Sequence, residues 1–304
     1  MKKKERLYRK IIRLWKQAGL PAYLHRFGPK KYKSAFLAFC WFVNQQWAHS
    51  LRRTQELLFE FGFQVPHWTT IQKASARMGR ILSLFHKLSA EFKQSYICAV
   101  DSTGFSLTNP SRYYTNIFQV KVSCPAKLSV LVDTRTSKAL ALRFRARPAH
   151  DARDVPYLLK NAAVLPEKIV GDSAYDAEDN VFKPCFSKHI AAIVKPRKGW
   201  ERGFYRHKMR KHYDLRTYHR RPVVEGFFSR LKQRFGGNLR CRSARTQRAE
   251  IYARVILQNL SSVIHKLFLQ HYQAANIFKL TAASLLYEDE NNTGYKLFAH
   301  SCAV

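Results

Sequence analysis

Tyr96-Ile-Cys-Ala-Val-Asp-Ser-Thr-Gly104 is a short apolar run that ends in an acid and then turn-forming residues. It reads as a strand over Tyr96–Val100, with Asp101 placed where the chain leaves the core. Working outward, Phe118–Val122, Leu128–Val132 and Ala139–Phe144 read as further strands, and Asp154–Ala163 as a helix. Lys168-Ile-Val170 is a strand closed by Gly171-Asp172, Ala174–Val181 reads as helical, and His189–Val194 is again a strand. Strands in succession, then helices alternating with strands, imply an α/β class: a mixed sheet flanked by helices.

On either side the pattern changes. Residues 1–95 are helix-like and hold only Glu5, Glu56, Glu60 and Glu91 as acids. Leu51–Phe63 reads as a helix with Leu57, Leu58 and Phe61 on one face. After the break at 64–68, Thr69 or Thr70 suits the N-cap of a helix running from Ile71, with Gln72, Lys73, Ser75, Arg77 and Arg80 facing outward. Residues 51–82 are thus a helix-turn-helix candidate, with Thr70, Gln72, Lys73 and Arg77 as candidate DNA contacts. The aromatic run Phe36, Phe39, Trp41, Phe42 and Trp47 reads as core rather than as a base-stacking platform. Downstream, Pro222 opens a helix over Val223–Arg234 that Gly236-Gly237 stops. Residues 251–270 form an amphipathic helix whose stripe of Ile251, Val255, Ile256, Leu260, Val263 and Ile264 reads as core packing. The organisation expected is a helical region over 1–95 that holds the helix-turn-helix candidate, an α/β domain over 96–250 and a helical extension over 251–304 packed on the core.

The 304 residues carry 54 Lys+Arg and 20 Asp+Glu, a net charge of +34. A long polyanion is the partner such a balance implies, and nucleic acid is the commonest one. The charge is dense in residues 1–34, with 12 Lys+Arg against Glu5, and over 197–248, with 17 against Glu201, Asp214 and Glu225. The longest apolar run, Ala35–Val43, is too short to span a bilayer, and no secretory apolar stretch follows Met1–Arg6. The expectation is a soluble cytoplasmic protein associated with the nucleoid, with no membrane partner. Six scattered cysteines without a CxxC pair read as reduced, packed thiols.

Scarcity makes the acids searchable. Asp101 and Asp172 both follow apolar strands, where α/β sheets place ligand sites. Glu225 is the only acid between Asp214 and Glu250. Glu225 and Lys232 lie two helical turns apart on one face, and Arg221 stands four residues before Glu225. Carboxylates that can hold a hard divalent cation, beside Tyr, Arg and Lys that can hold phosphates, suit DNA cleavage. Each acid read singly could equally be a cap, turn or salt-bridge residue.

The spacing Tyr218-x2-Arg221-x3-Glu225-x6-Lys232, with Asp101 in Asp-Ser-Thr and Asp172 in Gly-Asp-Ser-Ala-Tyr-Asp, resembles the DDE transposases of the IS4/IS5-like insertion-sequence superfamily over about residues 96–265. The resemblance implies an RNase H-like core. It also implies catalytic and metal-binding roles for Asp101, Asp172 and Glu225, with two Mg2+ or Mn2+ ions and Asp101 bridging them. Tyr218, Arg221 and Lys232 would then bind the backbone near the scissile bond, while Ser102 and Ser173 are either supporting or structural. The implied reaction is cleavage at terminal inverted repeats and 3′-OH strand transfer into target DNA, by a homodimer on double-stranded DNA. Only 53 residues separate Asp172 from Glu225. That is too few for the β-rich insertion some relatives use in hairpin-forming cleavage, and the basic stretch 197–216 stands as its candidate replacement. A catalytically idle or repurposed DNA-binding protein, and an RNase H-like nuclease without strand transfer, are the alternatives.

Overall fold

The structure is a computed structural model that describes residues 2–25, 27, 30–89, 95–107, 126–147, 149–199 and 202–260. Met1–Asn259 make one compact unit and Leu260–Val304 a second. The strand expected at Phe118–Val122 and most of the 251–304 extension lie outside the described residues.

Four helices come first: α1 (Lys2–Gln17), α2 (Ser34–Trp47), α3 (Leu51–Glu60) and α4 (Trp68–Ser89). Helix α2 is buried all round from Ser34 to Gln45, as a uniformly apolar helix must be. Its Phe36 and Phe39 pack with Tyr8 and Phe63, so the aromatic run is core, and only Trp47 reaches the surface. Two expectations are corrected here. Helix α3 buries Thr54 and Leu58, whereas Phe61 lies past its end and is exposed. Helix α4 begins at Trp68, so Thr69 and Thr70 are inside its first turn rather than capping it. His67 takes the cap position, its ring nitrogen 2.8 Å from the Thr69 hydroxyl. Gln72, Lys73, Arg77 and Arg80 are exposed, but Ser75 is buried and its hydroxyl donates to the Gln72 carbonyl at 2.7 Å. A short hydroxyl side chain can satisfy itself on the preceding turn and so tolerate the buried face.

The sheet comprises β1 (Ser95–Phe105), β2 (Ala126–Asp133), β3 (Ala139–Arg145), β4 (Pro166–Gly171) and β5 (Ala191–Val194). Its order is β3-β2-β1-β4-β5. The β1–β2 and β2–β3 pairs are antiparallel, and β1–β4 and β4–β5 are parallel. This mixed sheet flanked by helices is consistent with the RNase H-like core that the resemblance implies. Strand β1 overruns its expected end: Asp101 lies inside it, paired with Val130, and the strand continues to Phe105. The Asp-Ser-Thr-Gly sequence has turn chemistry, but an eight-residue antiparallel ladder with β2 holds it extended.

Between β3 and β4 run a 3-10 turn (Asp151–Asp154) and α5 (Val155–Asn161). The helix expected over Ala174–Val181 is broken into a 3-10 turn (Ser173–Tyr175), a π turn (Glu178–Phe182) and α6 (Lys183–Phe186). Then follow α7 (Phe204–Arg210), α8 (Leu215–Tyr218), α9 (Pro222–Phe235) and a helix α10 from residue 244 to 260. The Glu178 carboxylate accepts the Tyr205 and Arg206 amides at 2.8 and 2.9 Å and so caps α7. Gly203, at φ +129°, passes so close to Glu178 that a Cβ there would overlap the carboxylate. Two cations of the basic 197–216 stretch have a structural role: Arg206 is buried on Asp176 at 2.8 Å, with Arg210 3.2 Å from the same carboxylate.

One buried junction ties helices to sheet. Asn259 on α10 accepts the Ala139 amide at 2.9 Å, donates to the Ala139 carbonyl at 3.0 Å, and lies 3.3 Å from Nε2 of His86 on α4. Burial pushes His86 down to about 3. The unfolded chain takes up this proton below about pH 6.5, while the folded chain stays neutral until about pH 3. Stability from this residue is therefore whole above the unfolded value and falls as pH drops through that window. We expect the parent to lose about 2 kcal/mol more than His86→Gln between pH 7 and pH 5, read from urea midpoints. Parallel losses in both proteins would refute this.

Candidate active site

Residues Ala99 and Val170 are paired across β1 and β4, and continuing that parallel register brings Asp101 opposite Asp172. Asp101 is half-buried, and one of its oxygens accepts the Ser102 amide at 2.8 Å. Asp172 leaves the end of β4 and caps the next turn by accepting the Ala174 amide at 2.9 Å. Burial raises Asp101 to about 6, with Asp172 and Asp151 adding to the rise and the Ser102 amide and Arg221 opposing it. Burial is thus the main cause of the rise, and the neighbouring carboxylates add to it.

Glu225 sits in the first turn of α9, which packs against β1. Arg221, at the N-cap, holds it with a 2.7 Å ion pair. Arg221 is mostly buried, Glu225 is 52% exposed, and the Arg221 Nε makes no hydrogen bond. Arg221 therefore stands between Asp101, whose charge it opposes, and Glu225. Among the described residues no three His, Cys, Asp or Glu side chains are gathered closely enough to hold one ion, so Glu225 does not join the Asp101–Asp172 pair. Lys232, further along α9, lies over the Phe105 ring at 5.6 Å to the centroid. Tyr218 ends α8, its ring 5.9 Å from that of Tyr213. Thr70, Gln72, Lys73 and Arg77 lie on α4, outside this group.

A fourth acid belongs to the site and is absent from the sequence-based set. Asp151 accepts the Ser102 hydroxyl at 2.6 Å and forms a close ion pair with Lys127. Burial would raise Asp151, but the Lys127 and Ser102 hydrogen bonds hold it below the ordinary value. Lys127 itself is buried in β2 and donates to the Ala149 carbonyl at 2.6 Å. Ser102 thus links Asp101 through its amide to Asp151 through its hydroxyl, which gives it a supporting contact. The scarcity argument that exposed the other acids also applied to Asp151, but Asp151 does not directly follow an apolar strand and stands just before the helix expected from Asp154. Beneath the group, the Tyr175 hydroxyl is fully buried without a well-formed hydrogen bond; burial first, then Asp101, Asp151 and Asp172, push its pKa well above the usual value.

An oxygen-only donor pair with excess negative charge, beside an unsatisfied buried hydroxyl, fits a hard divalent cation. Asp101 and Asp172 would hold it, and Glu225 would need to leave Arg221 to join them.

The model of the family described as transposase DDE domain matches residues 93–260, more than half of the chain and all five strands. No curated protein matches the sequence. The matched segment contains Asp101, Asp172 and the helix that carries Glu225, and the chain belongs to the transposase DDE-domain family.

Proposed function

We propose that this protein is a DNA transposase of the IS4/IS5-like kind that cuts at the terminal inverted repeats of its element and joins the freed 3′-OH to target DNA. The observation that carries the reading is the Asp101–Asp172 pair on adjacent parallel strands, with Arg221 and Glu225 at its edge. Bound Mg2+ or Mn2+, two per site, would polarise the scissile phosphate and activate the attacking water or 3′-OH. Asp101 and Asp172 would hold the cations. Arg221 would exchange Glu225 for a phosphate oxygen of the DNA, leaving Glu225 available as a third ligand. Lys232 and Tyr218 hold flanking phosphates.

In the same reading, residues 1–95 bind DNA, with Thr70, Gln72, Lys73 and Arg77 presented by α4. Residues 96–250 form the catalytic domain, and 251–304 extend it. The protein acts as a homodimer on paired ends, in the cytoplasm and at the nucleoid. Among the described residues no helix is long and apolar enough to cross a membrane.

The test is strand cleavage of a duplex carrying the inverted repeats that flank the gene, with Mg2+ or Mn2+. Nicked and joined products are expected, and cleavage without joined products would reduce the reading to a nuclease. The Arg221–Glu225 ion pair favours one second reading, a DNA-binding protein that no longer cuts. Saturable binding with no nick in either metal would establish it.

A further inference from the structure

A cavity of about 600 Å3 opens at the edge of the sheet, away from the aspartate pair. Five arginines line it: Arg80 from α4, Arg143 and Arg145 from β3, Arg147 just beyond, and Arg248 from α10. Among the described residues no carboxylate is in its wall. Asp154, buried beside it, ties down two of the five, Arg143 at 3.3 Å and Arg145 at 2.7 Å. Arg143 also stacks on the Tyr157 ring at 4.6 Å. Two guanidiniums are thus fixed in place. Arg80, Arg147 and Arg248 are exposed and have no ion-pair partner among the described residues. Arg248 reaches the cavity because Gly79 lets its stem lie against α4; a Cβ at Gly79 would be 3.3 Å from Arg248 Cδ.

Three exposed arginines gathered beside two held by Asp154 make a place of strong positive potential that suits an anion. Two features point to a linear polyanion rather than a compact one. Lys73, Arg77 and Arg80 are exposed on one face of α4, at spacings of four and three, so a row of cations about 10 Å long runs into the cavity. In addition, β3 is two strands from β1, placing the cavity about 10 Å across the sheet from Asp101. That separation is close to the width of a DNA groove, about 12 Å. A duplex cut at Asp101 would present phosphates of its other strand, or of its next turn, to these arginines. The two places are joined by the chain Arg145–Asp154–Lys127–Asp151–Ser102.

We propose that the arginine-lined cavity is a second phosphate-binding site that grips the DNA backbone beside the cleavage site. The proposal rests on the reading that Asp101 and Asp172 act on DNA, but its test does not need cleavage. The measurement is the affinity of the full chain for a 30-base-pair duplex over a range of salt, by fluorescence anisotropy. In R147Q/R248Q we expect binding to weaken about tenfold or more at moderate salt, and the log–log salt slope to fall by about two. The control K183Q/K188Q removes the same charge from two exposed lysines on the opposite edge of the sheet and should change the slope by less than one. R147Q alone, at a surface turn, should lower the slope by about one. Equal losses in pocket and control variants would overturn the proposal. So would sodium tripolyphosphate that stabilises the parent and not R147Q/R248Q while duplex binding is the same in both, because the cavity would then serve a small anion. A protein that shows the slope change yet never cuts DNA keeps this site and loses the transposase reading.

Discussion

Asp172→Asn is expected to bind duplex DNA as the parent does, melt within a few degrees of it, and cut at least about 1000-fold more slowly. The side chain keeps its size and can still cap the turn by accepting the Ala174 amide. What it loses is the charge that, in the proposed function, would hold a cation together with Asp101. Metal assistance to phosphoryl transfer is worth several kcal/mol, and about 4 kcal/mol corresponds to three decades of rate. Asp151→Asn should be milder, about 10–100-fold, since it touches Ser102 rather than the pair itself. The expected loss would appear as a weaker requirement-satisfying metal affinity, recoverable in part at high Mn2+, whereas Asp172→Asn should not recover. Single-turnover cleavage at saturating DNA, with melting curves alongside, reads both. If Asp172→Asn cuts at parental rate with parental binding, Asp172 is a capping residue and nothing more.

Strand sites were legible where apolar runs are short and bounded. The runs at Leu128–Val132, Ala139–Phe144 and Lys168–Val170 each lie within an observed strand, because burial on both faces leaves no other use for such a run. The errors fall where long-range pairing overrides local chemistry. Asp101-Ser-Thr-Gly104 has the residues of a turn, and only the ladder to β2 keeps it extended. Asp151 could not be placed from sequence because Lys127, its partner, is 24 residues away and sits in a strand that otherwise reads as apolar. The Arg221–Glu225 pair was visible as a spacing of four, but the spacing does not say whether the arginine serves DNA or its own helix neighbour. The cavity arginines were counted in the net charge and could not be assembled, because they come from three elements far apart in sequence.

The same limit hid the residue with the largest expected effect on folding. Glu250 stands just before the apolar stripe of α10 and reads as a surface acid, yet it is fully buried. It pairs with the equally buried Arg254 at 2.5 Å and accepts the Arg240 and Cys241 amides at 3.0 and 2.9 Å. Arg254 in turn donates to the Gly236 and Asn238 carbonyls at 3.2 and 3.0 Å. The pair therefore fastens residues 236–241, which follow α9. Those residues also bond to the end of β1, through Ser106 to Gly237 at 3.1 Å and Leu239 to Ser106 at 2.8 Å. Glu250→Ala removes one charge, leaves Arg254 buried without its partner, and strands two amides. The expected loss is about 3–5 kcal/mol, a large share of the 5–15 kcal/mol that holds a typical domain together. Glu250→Gln keeps an acceptor for the amides and should cost less, about 1–3 kcal/mol. The double change Glu250→Gln with Arg254→Met should cost less than the two single losses added, because neither then leaves a lone buried charge. Because residues 236–241 join α9 to β1, Glu250→Gln should also slow cleavage at a temperature where it is fully folded. Urea midpoints for the four proteins decide the first point: additive losses would mean that the pair is not coupled. Parental cleavage by folded Glu250→Gln would show that α9 keeps its place on β1 without this anchor.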